Sequence, residues 1–424
     1  MLAYHLLWTL VGGPLLFGCR FYRNPRLMQR LGCLVPNQEV HPGGIWVHAL
    51  SVGEVKSAIP LVRRLREDYP KKSLVLSSTT RQGLDLASKE LGGEVDAIIT
   101  MPLDFWWSYR RVISLIKPNL FLLVETDIWP GVLRHLRVSG AQSLLINGRI
   151  SRRTHKSYKR APRLAQRLFT DLKLCLMQTE QDRERLLSIG VPSHKVLTVG
   201  NIKFDRPFSP MDSKERGSWR RLFGLEENSV VLVAGSTHGE ESYMILEIFL
   251  ELQGRYPDLV LILAPRKTEQ ARELYDAAVA KGKPCIVRSQ ADGSVKGPGV
   301  VILDTVGELE RIYGLGQLSF VGGSLIPFGG HNLLEPASFG IPVLYGPHTD
   351  NFTWMSEALE NAGGGRRVRD KLGLREAIDR LLANDGLRIE MGRAASSFVK
   401  QNQGALDRVM DHVAACLMKG EART

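Results

Sequence analysis

From residue 45 onward, short apolar runs alternate with segments of helical period. IWVHAL reads as a strand and EVKSAIPLVRRLREDY as an amphipathic helix; SLVLSS is a strand, GLDLASKELG a helix and DAIITMPLD a strand. The series continues through LFLLVET, the helix-like WPGVLRHLRVSG, SLLING, LKLCLMQT, EQDRERLLSIG and KVLTVGNIKFD. This alternation predicts a parallel α/β sheet. Around DRPFSPMDSKERGSW, residues 205–219, Pro, Ser and charge replace the periodicity and mark a linker. Beyond it the rhythm restarts with VVLVAGS, YMILEIFLELQG, LVLILAPR, EQARELYDAAVAKG, VVILDTV, LSFVGGS and IPVLYGP. Two α/β halves follow, over residues 31–205 and 221–424 with a linker at 206–220. Ligands of such sheets sit off the carboxyl ends of the strands, so a cleft between two halves is the expected site.

The first residues break this pattern. MLAYHLLWTLVGGPLLFG carries no Lys, Arg, Asp or Glu, and the next segment holds Arg20, Arg23, Arg26 and Arg30 with no acid until Glu39. The charge follows the apolar run, whereas a cleaved signal peptide carries it in front. Residues 1–30 are therefore expected to be a hydrophobic membrane-anchor or interfacial helix with a basic collar. The positive-inside rule keeps that collar and the body of the protein in the cytoplasm.

Composition narrows the partners. The chain has 424 residues and a formal net charge of +12, which points to an anionic partner. Its five cysteines are scattered, with no CxxC or Cys/His cluster, and no HExxH, EF-hand or Walker A pattern occurs, so no metal site and no cofactor is expected. The basic block at Arg149, Arg152, Arg153, Lys156, Lys159, Arg160, Arg163 and Arg167 contains a single aromatic, Tyr158. That composition favours membrane phosphates or a phosphorylated lipid over nucleic acid.

Chemically useful residues fall where the strands stop. ALSVGEV places Ser51 and Gly53 in a turn that opens a helix at Glu54, either as a carboxylate favoured by the helix dipole or as a general base facing the cleft. Glu125 and Asp127 follow LFLLV, and Asn147 and Arg149 follow SLLI. In GSTHGEE the amides with the Ser236 and Thr237 hydroxyls could hold a phosphate, or simply cap a helix. Arg266 ends the next strand and suits a phosphate or carboxylate. The stretch GGSLIPFGGHNLLEPASFGIPVLYGP joins glycine freedom to His331, Asn332 and Glu335: amides for a phosphate, then a short helix whose Glu335 could accept from ribose hydroxyls. His331 alone reads more as a structural hydrogen-bonder than as a catalyst.

Taken together, WVHALSVGEVKSAIPLVRRL, LLVETDIWP, INGRIS, GNIKFD, AGSTHGEE, APRK and VGGSLIPFGGHNLLEPASFGIPVLYGPHTDNF resemble the 3-deoxy-D-manno-octulosonate (Kdo) transferases, which act on the lipid A precursor. The resemblance spans nearly the whole chain. It implies an α/β GT-B fold of two Rossmann-like domains, preceded by the anchor helix, and a metal-independent glycosyltransferase of the cytoplasmic face of the inner membrane. CMP-Kdo would be the donor, bound by the C-terminal half, and a phosphorylated, tetra-acylated lipid A precursor the acceptor, bound by the N-terminal half. Glu54 falls on the family's catalytic base and Glu125 on a second functional carboxylate. Ser236, Thr237, Arg266, Gly322, Gly323, Gly330, Asn332 and Glu335 match donor-binding motifs, His331 lies among them, and Lys203 would help carry the leaving phosphate's charge. Ser51, Gly53, Asn147, Arg149, Arg152 and Arg153 would meet the acceptor. Rival readings are a UDP-sugar transferase or epimerase of the same fold, and a non-catalytic peripheral protein binding anionic lipid.

Overall fold

The computed structural model describes residues 25–32, 40–125, 127–206, 210–295, 297 and 299–421. The apolar segment proposed as an anchor, with Arg20 and Arg23, lies outside them. Among the described residues, no helix is long and apolar enough to cross a membrane. The chain divides into two compact units, Met1–Arg206 with Asn402–Thr424, and Pro207–Gln401.

The first unit is built on seven parallel strands: β1 Ile45–His48, β2 Leu74–Ser78, β3 Ala97–Thr100, β4 Leu120–Val124, β5 Gln142–Gly148, β6 Leu174–Met177 and β7 Val196–Thr198. They lie in the order β3-β2-β1-β4-β5-β6-β7. Successive side chains of a strand point to opposite faces. Ile45, Val47, Leu120, Leu122 and Val124 accordingly enter one apolar cluster, and Trp46, Phe121 and Leu123 the other. Both faces are covered, which is why these strands read as unbroken apolar runs. Burying each such side chain is worth roughly 1.5–3 kcal/mol.

The last helix, Ala405–Glu421, belongs to this unit. Ala405, Val409, Met410, Val413, Cys416 and Leu417 pack into the first cluster. The helix entry is pinned by the Asp205 carboxylate, which accepts from the amides of Gly404 and Leu406. The sequence reading assigned all of 221–424 to the C-terminal half; helix Ala405–Glu421 packs instead in the N-terminal one. Arg26 donates to the Thr79 carbonyl and Arg30 is half-buried, because Leu27 and Leu31 of this segment pack on Leu103, Phe105 and Trp107.

The second unit repeats the plan with β8 Val230–Thr237, β9 Leu259–Pro265, β10 Cys285–Val287, β11 Val300–Ile302, β12 Leu318–Val321, β13 Val343–Tyr345 and β14 Gly365–Arg367. Their order is β10-β11-β9-β8-β12-β13-β14. Within the stretch read as a linker a helix forms, Ser213–Leu222. Its cause is local: the Asp212 side chain accepts from the Glu215 amide, one half of a capping box.

Candidate active site

In the first unit the chemistry gathers at the carboxyl ends of β1, β4 and β5. β1 runs through Ala49 and Leu50 to Ser51, which caps helix Val52–Asp68 without a side-chain hydrogen bond of its own. Glu54 stands in that helix's first turn and folds back to accept from the Leu50 amide. β4 is followed by Glu125, held at φ 62, the left-handed region, while its amide donates to the Ile146 carbonyl at 2.8 Å. A non-glycine residue there is uncommon and is found where surrounding structure imposes it. The Glu125 carboxylate meets the Lys203 ammonium at 2.9 Å.

A cavity of about 330 Å³ is lined by Leu50, Glu54, Glu125, Asp127, Arg149, Ser151 and Thr154. Three carboxylates thus share one small space. Burial pushes the Glu54 carboxyl up to about 8. Glu125 and Asp127 add to the rise, whereas the Leu50 amide and Lys203 oppose it. A carboxyl with that proton affinity can take a proton from an attacking hydroxyl near neutral pH.

The sequence-predicted acceptor residues divide. Arg149 lines the cavity. Ser51 and Gly53 frame the turn before Glu54, while Arg152 and Arg153 stand exposed on helix Arg152–Arg160. Asn147 corrects the expectation: it is fully buried, and its Oδ1 accepts from the Ile202 amide at 3.2 Å. Gln178 donates to the Asn147 carbonyl, and Asn201 bonds both Gln178 and the Lys203 amide. Asn147 therefore sets the turn that presents Lys203 instead of touching solvent. Lys203 itself, assigned by sequence to the donor, lies in this unit on Glu125. Asp127, named at the end of β4 without a role, also lines the cavity, as do Ser151 and Thr154, which the sequence reading did not single out.

In the second unit, GSTHGEE and the Gly-rich loop meet. Ser236 at the end of β8 has φ 56, at a register shift against β9. Gly322 must be glycine, since a Cβ there would stand 2.5 Å from the Ser236 carbonyl oxygen. The amides expected to cradle a phosphate are largely taken. Gly323, Ser324 and Leu325 donate to the buried Glu241 carboxylate, as does His238. The Gly322 amide donates to Gly235 and the Gly330 amide to Gly323. Thr237 is likewise buried, its hydroxyl 2.7 Å from that of Ser242. Burial holds Glu241 above the ordinary carboxylate range, with the four amides pulling the other way.

What remains open at this site is side-chain chemistry. Arg266 is exposed just past β9, its amide bonded to the Thr237 carbonyl at 2.8 Å. His331 and His238 stack, with Nε2 atoms 2.8 Å apart, so one donates and the other accepts. Burial, then Arg266 and Lys267, lowers His238 below the usual imidazole range. Asn332 accepts from the Leu334 amide and donates to Glu335, joining the two loop residues at the start of helix Leu334–Ser338.

Comparison with known proteins agrees with this picture. Residues 25–206 match the model of a family described as 3-deoxy-D-manno-octulosonic-acid transferase. The chain is 32% identical over 387 residues to the 3-deoxy-D-manno-octulosonic acid transferase of Haemophilus influenzae, covering 91% of this chain and 90% of that one. It is 29% identical over 341 residues to that of Aquifex aeolicus, covering 80% and 86%. Among solved structures, the UDP-GlcNAc 2-epimerase of Neisseria meningitidis bound to UDP-GlcNAc aligns with a TM-score of 0.59 at 15% identity, over 88% of this chain and all of that one. That likeness concerns the fold: two parallel-sheet α/β units of GT-B type.

Proposed function

This chain belongs to the Kdo transferase family of glycosyltransferases, and on that premise we propose that it transfers Kdo from CMP-Kdo to a hydroxyl of the tetra-acylated lipid A precursor, with Glu54 as general base. The observation that carries the reading is the Glu54 cavity, where a half-buried carboxyl of raised proton affinity lines the same small space as Arg149.

The acceptor hydroxyl gives its proton to Glu54 as its oxygen bonds to the anomeric carbon of Kdo. The bond from that carbon to the cytidylate phosphate oxygen breaks, through a transition state of oxocarbenium character. CMP departs as a phosphate monoester, its charge met by Arg266, whose guanidinium is exposed at the donor loops. Glu335 and Asn332 take the ribose hydroxyls. Lys203 acts on the acceptor side by neutralising Glu125. Residues 1–30 and the Arg149 to Arg167 block hold the enzyme on the cytoplasmic face of the inner membrane.

The test is transfer from CMP-Kdo, generated in place, to lipid A precursor with metal chelated throughout. Product from wild type and none from Glu54→Gln is the expected result; a Glu54→Gln enzyme with normal turnover removes the base assignment.

A further inference from the structure

Of the three pocket carboxylates, Asp127 is the one held by two side-chain rings. Its Oδ2 accepts two ring N–H bonds, from Trp129 Nε1 at 2.7 Å and His48 Nε2 at 3.1 Å. His48, the last residue of β1, has no exposed surface. Its Nδ1 lies 2.9 Å from the Ser77 hydroxyl and 3.1 Å from the Ser77 carbonyl oxygen. The Ser77 hydroxyl in turn accepts from Trp46 Nε1 at 2.8 Å.

The direction of this chain follows from its ends. Trp46 can only donate, so Ser77 spends its own hydrogen elsewhere, on Nδ1, on the Val47 carbonyl at 3.4 Å or on the Met101 sulfur at 3.8 Å. In the first case Nε2 bears the imidazole's one hydrogen. Otherwise Nδ1 donates to the Ser77 carbonyl. The 2.9 Å contact to Nδ1 is the shortest of these and favours the first case, which puts Nε2–H against Asp127.

We propose that Trp46, Ser77 and His48 form a positioning device for the transfer reaction, fixing the Asp127 carboxylate in the pocket beside Glu54. Two ring nitrogens on one oxygen fix where that carboxylate stands. Its fixed negative charge then makes Glu54 a stronger base, and Oδ1, which takes no hydrogen bond from the described residues, is left for an acceptor hydroxyl. Other charges bear on the pair from each neighbouring element: Glu125 after β4, Arg149 after β5, Lys203 from the turn after β7, and Arg30, which acts on Asp127.

This inference rests on Glu54 being the base, and the experiment separates the two. In Asp127→Asn the amide oxygen can still accept both N–H bonds, so charge is lost while shape is kept. The acid limb of kcat/KM is expected to move to lower pH, with KM for CMP-Kdo unchanged. His48→Phe, which removes both bonds of the ring, is expected to lower kcat, and His48→Gln, which keeps one N–H donor, to recover part of it. An inactive Glu54→Gln enzyme alongside an unmoved acid limb in Asp127→Asn overturns the inference alone. An active Glu54→Gln enzyme overturns it together with the base assignment. Asp127 is 20% exposed, so Asp127→Asn remains readable even if His48→Phe fails to fold.

Discussion

The Glu241 carboxylate accepts the Gly323 amide at 2.6 Å, across a sequence separation of 82 residues. Together with the bonds from His238, Ser324 and Leu325, it makes Glu241 an internal anion filling the nest that the glycine-rich loop offers. The loop is therefore shaped before any ligand arrives.

Replacing Glu241 tests this directly. In Glu241→Gln one side-chain oxygen is exchanged for an NH₂ that opposes backbone N–H groups, so at least one buried amide loses its acceptor, at a cost of about 1–3 kcal/mol. Thermal unfolding is expected at lower temperature and CMP binding, measured by calorimetry, to weaken by about tenfold. Wild-type CMP affinity in the folded variant would show that Glu241 does not shape the donor site.

That pairing also marks how far the sequence could be read. Glu54, Glu125 and Arg266 were legible because strand ends are legible: an apolar run stops, and the next polar side chain faces the ligand edge. Glu241 was visible only as the last letter of GSTHGEE, since three of its four partners belong to a loop after β12. His48 looked like one more position of an apolar strand, and its partner Asp127 lies 79 residues on. Local periodicity carries no information about such pairs. Helix Ala405–Glu421 shows the same limit, for its apolar face says that it is buried without saying against which sheet. Helix Ser213–Leu222 is different: Asp212 and Glu215 spell a capping signal that the Pro-rich surroundings obscured.

Glu54 predicts a pH dependence in both rate and stability. The base works unprotonated, so kcat/KM is expected to rise with pH to a midpoint near the value of about 8. The stability effect runs the other way. Because the folded-state value lies above the ordinary 4.5, the contribution is present below about 4.5 and is lost as pH rises through about 8. Relative to wild type, Glu54→Gln should gain about 1–2 kcal/mol between pH 5 and 9, allowing for solvent screening at a half-buried site. A Tm difference that stays flat over that range would contradict the placement of Glu54.

Lys203 and Glu125 are expected to behave as one unit. Losing the ammonium in Lys203→Met leaves Glu125 uncompensated beside Glu54, so the acid limb moves to higher pH; Glu125→Gln moves it to lower pH. A double-mutant cycle in urea unfolding should return a coupling of about 1 kcal/mol, because both side chains are partly shielded. Strict additivity would mean that the 2.9 Å contact contributes nothing in solution.

Helix Arg152–Arg160 carries Arg152, Arg153, Lys156, Lys159 and Arg160 and has no buried residue. Packing does not select this basic face, and an external anion is its expected partner. Near an anionic leaflet each Lys or Arg contributes about 1 kcal/mol. Arg152, Lys156 and Arg160 repeat at every fourth position and form one stripe. Reversing all three to Glu should lower binding to phosphatidylglycerol vesicles by at least about tenfold at low salt, a difference that high salt should erase. CMP affinity should not change, because the donor loops belong to the other unit. If the triple variant binds those vesicles like wild type, membrane contact is made elsewhere and the stripe serves the acceptor's own phosphates, in which case KM for the lipid should rise while vesicle binding holds.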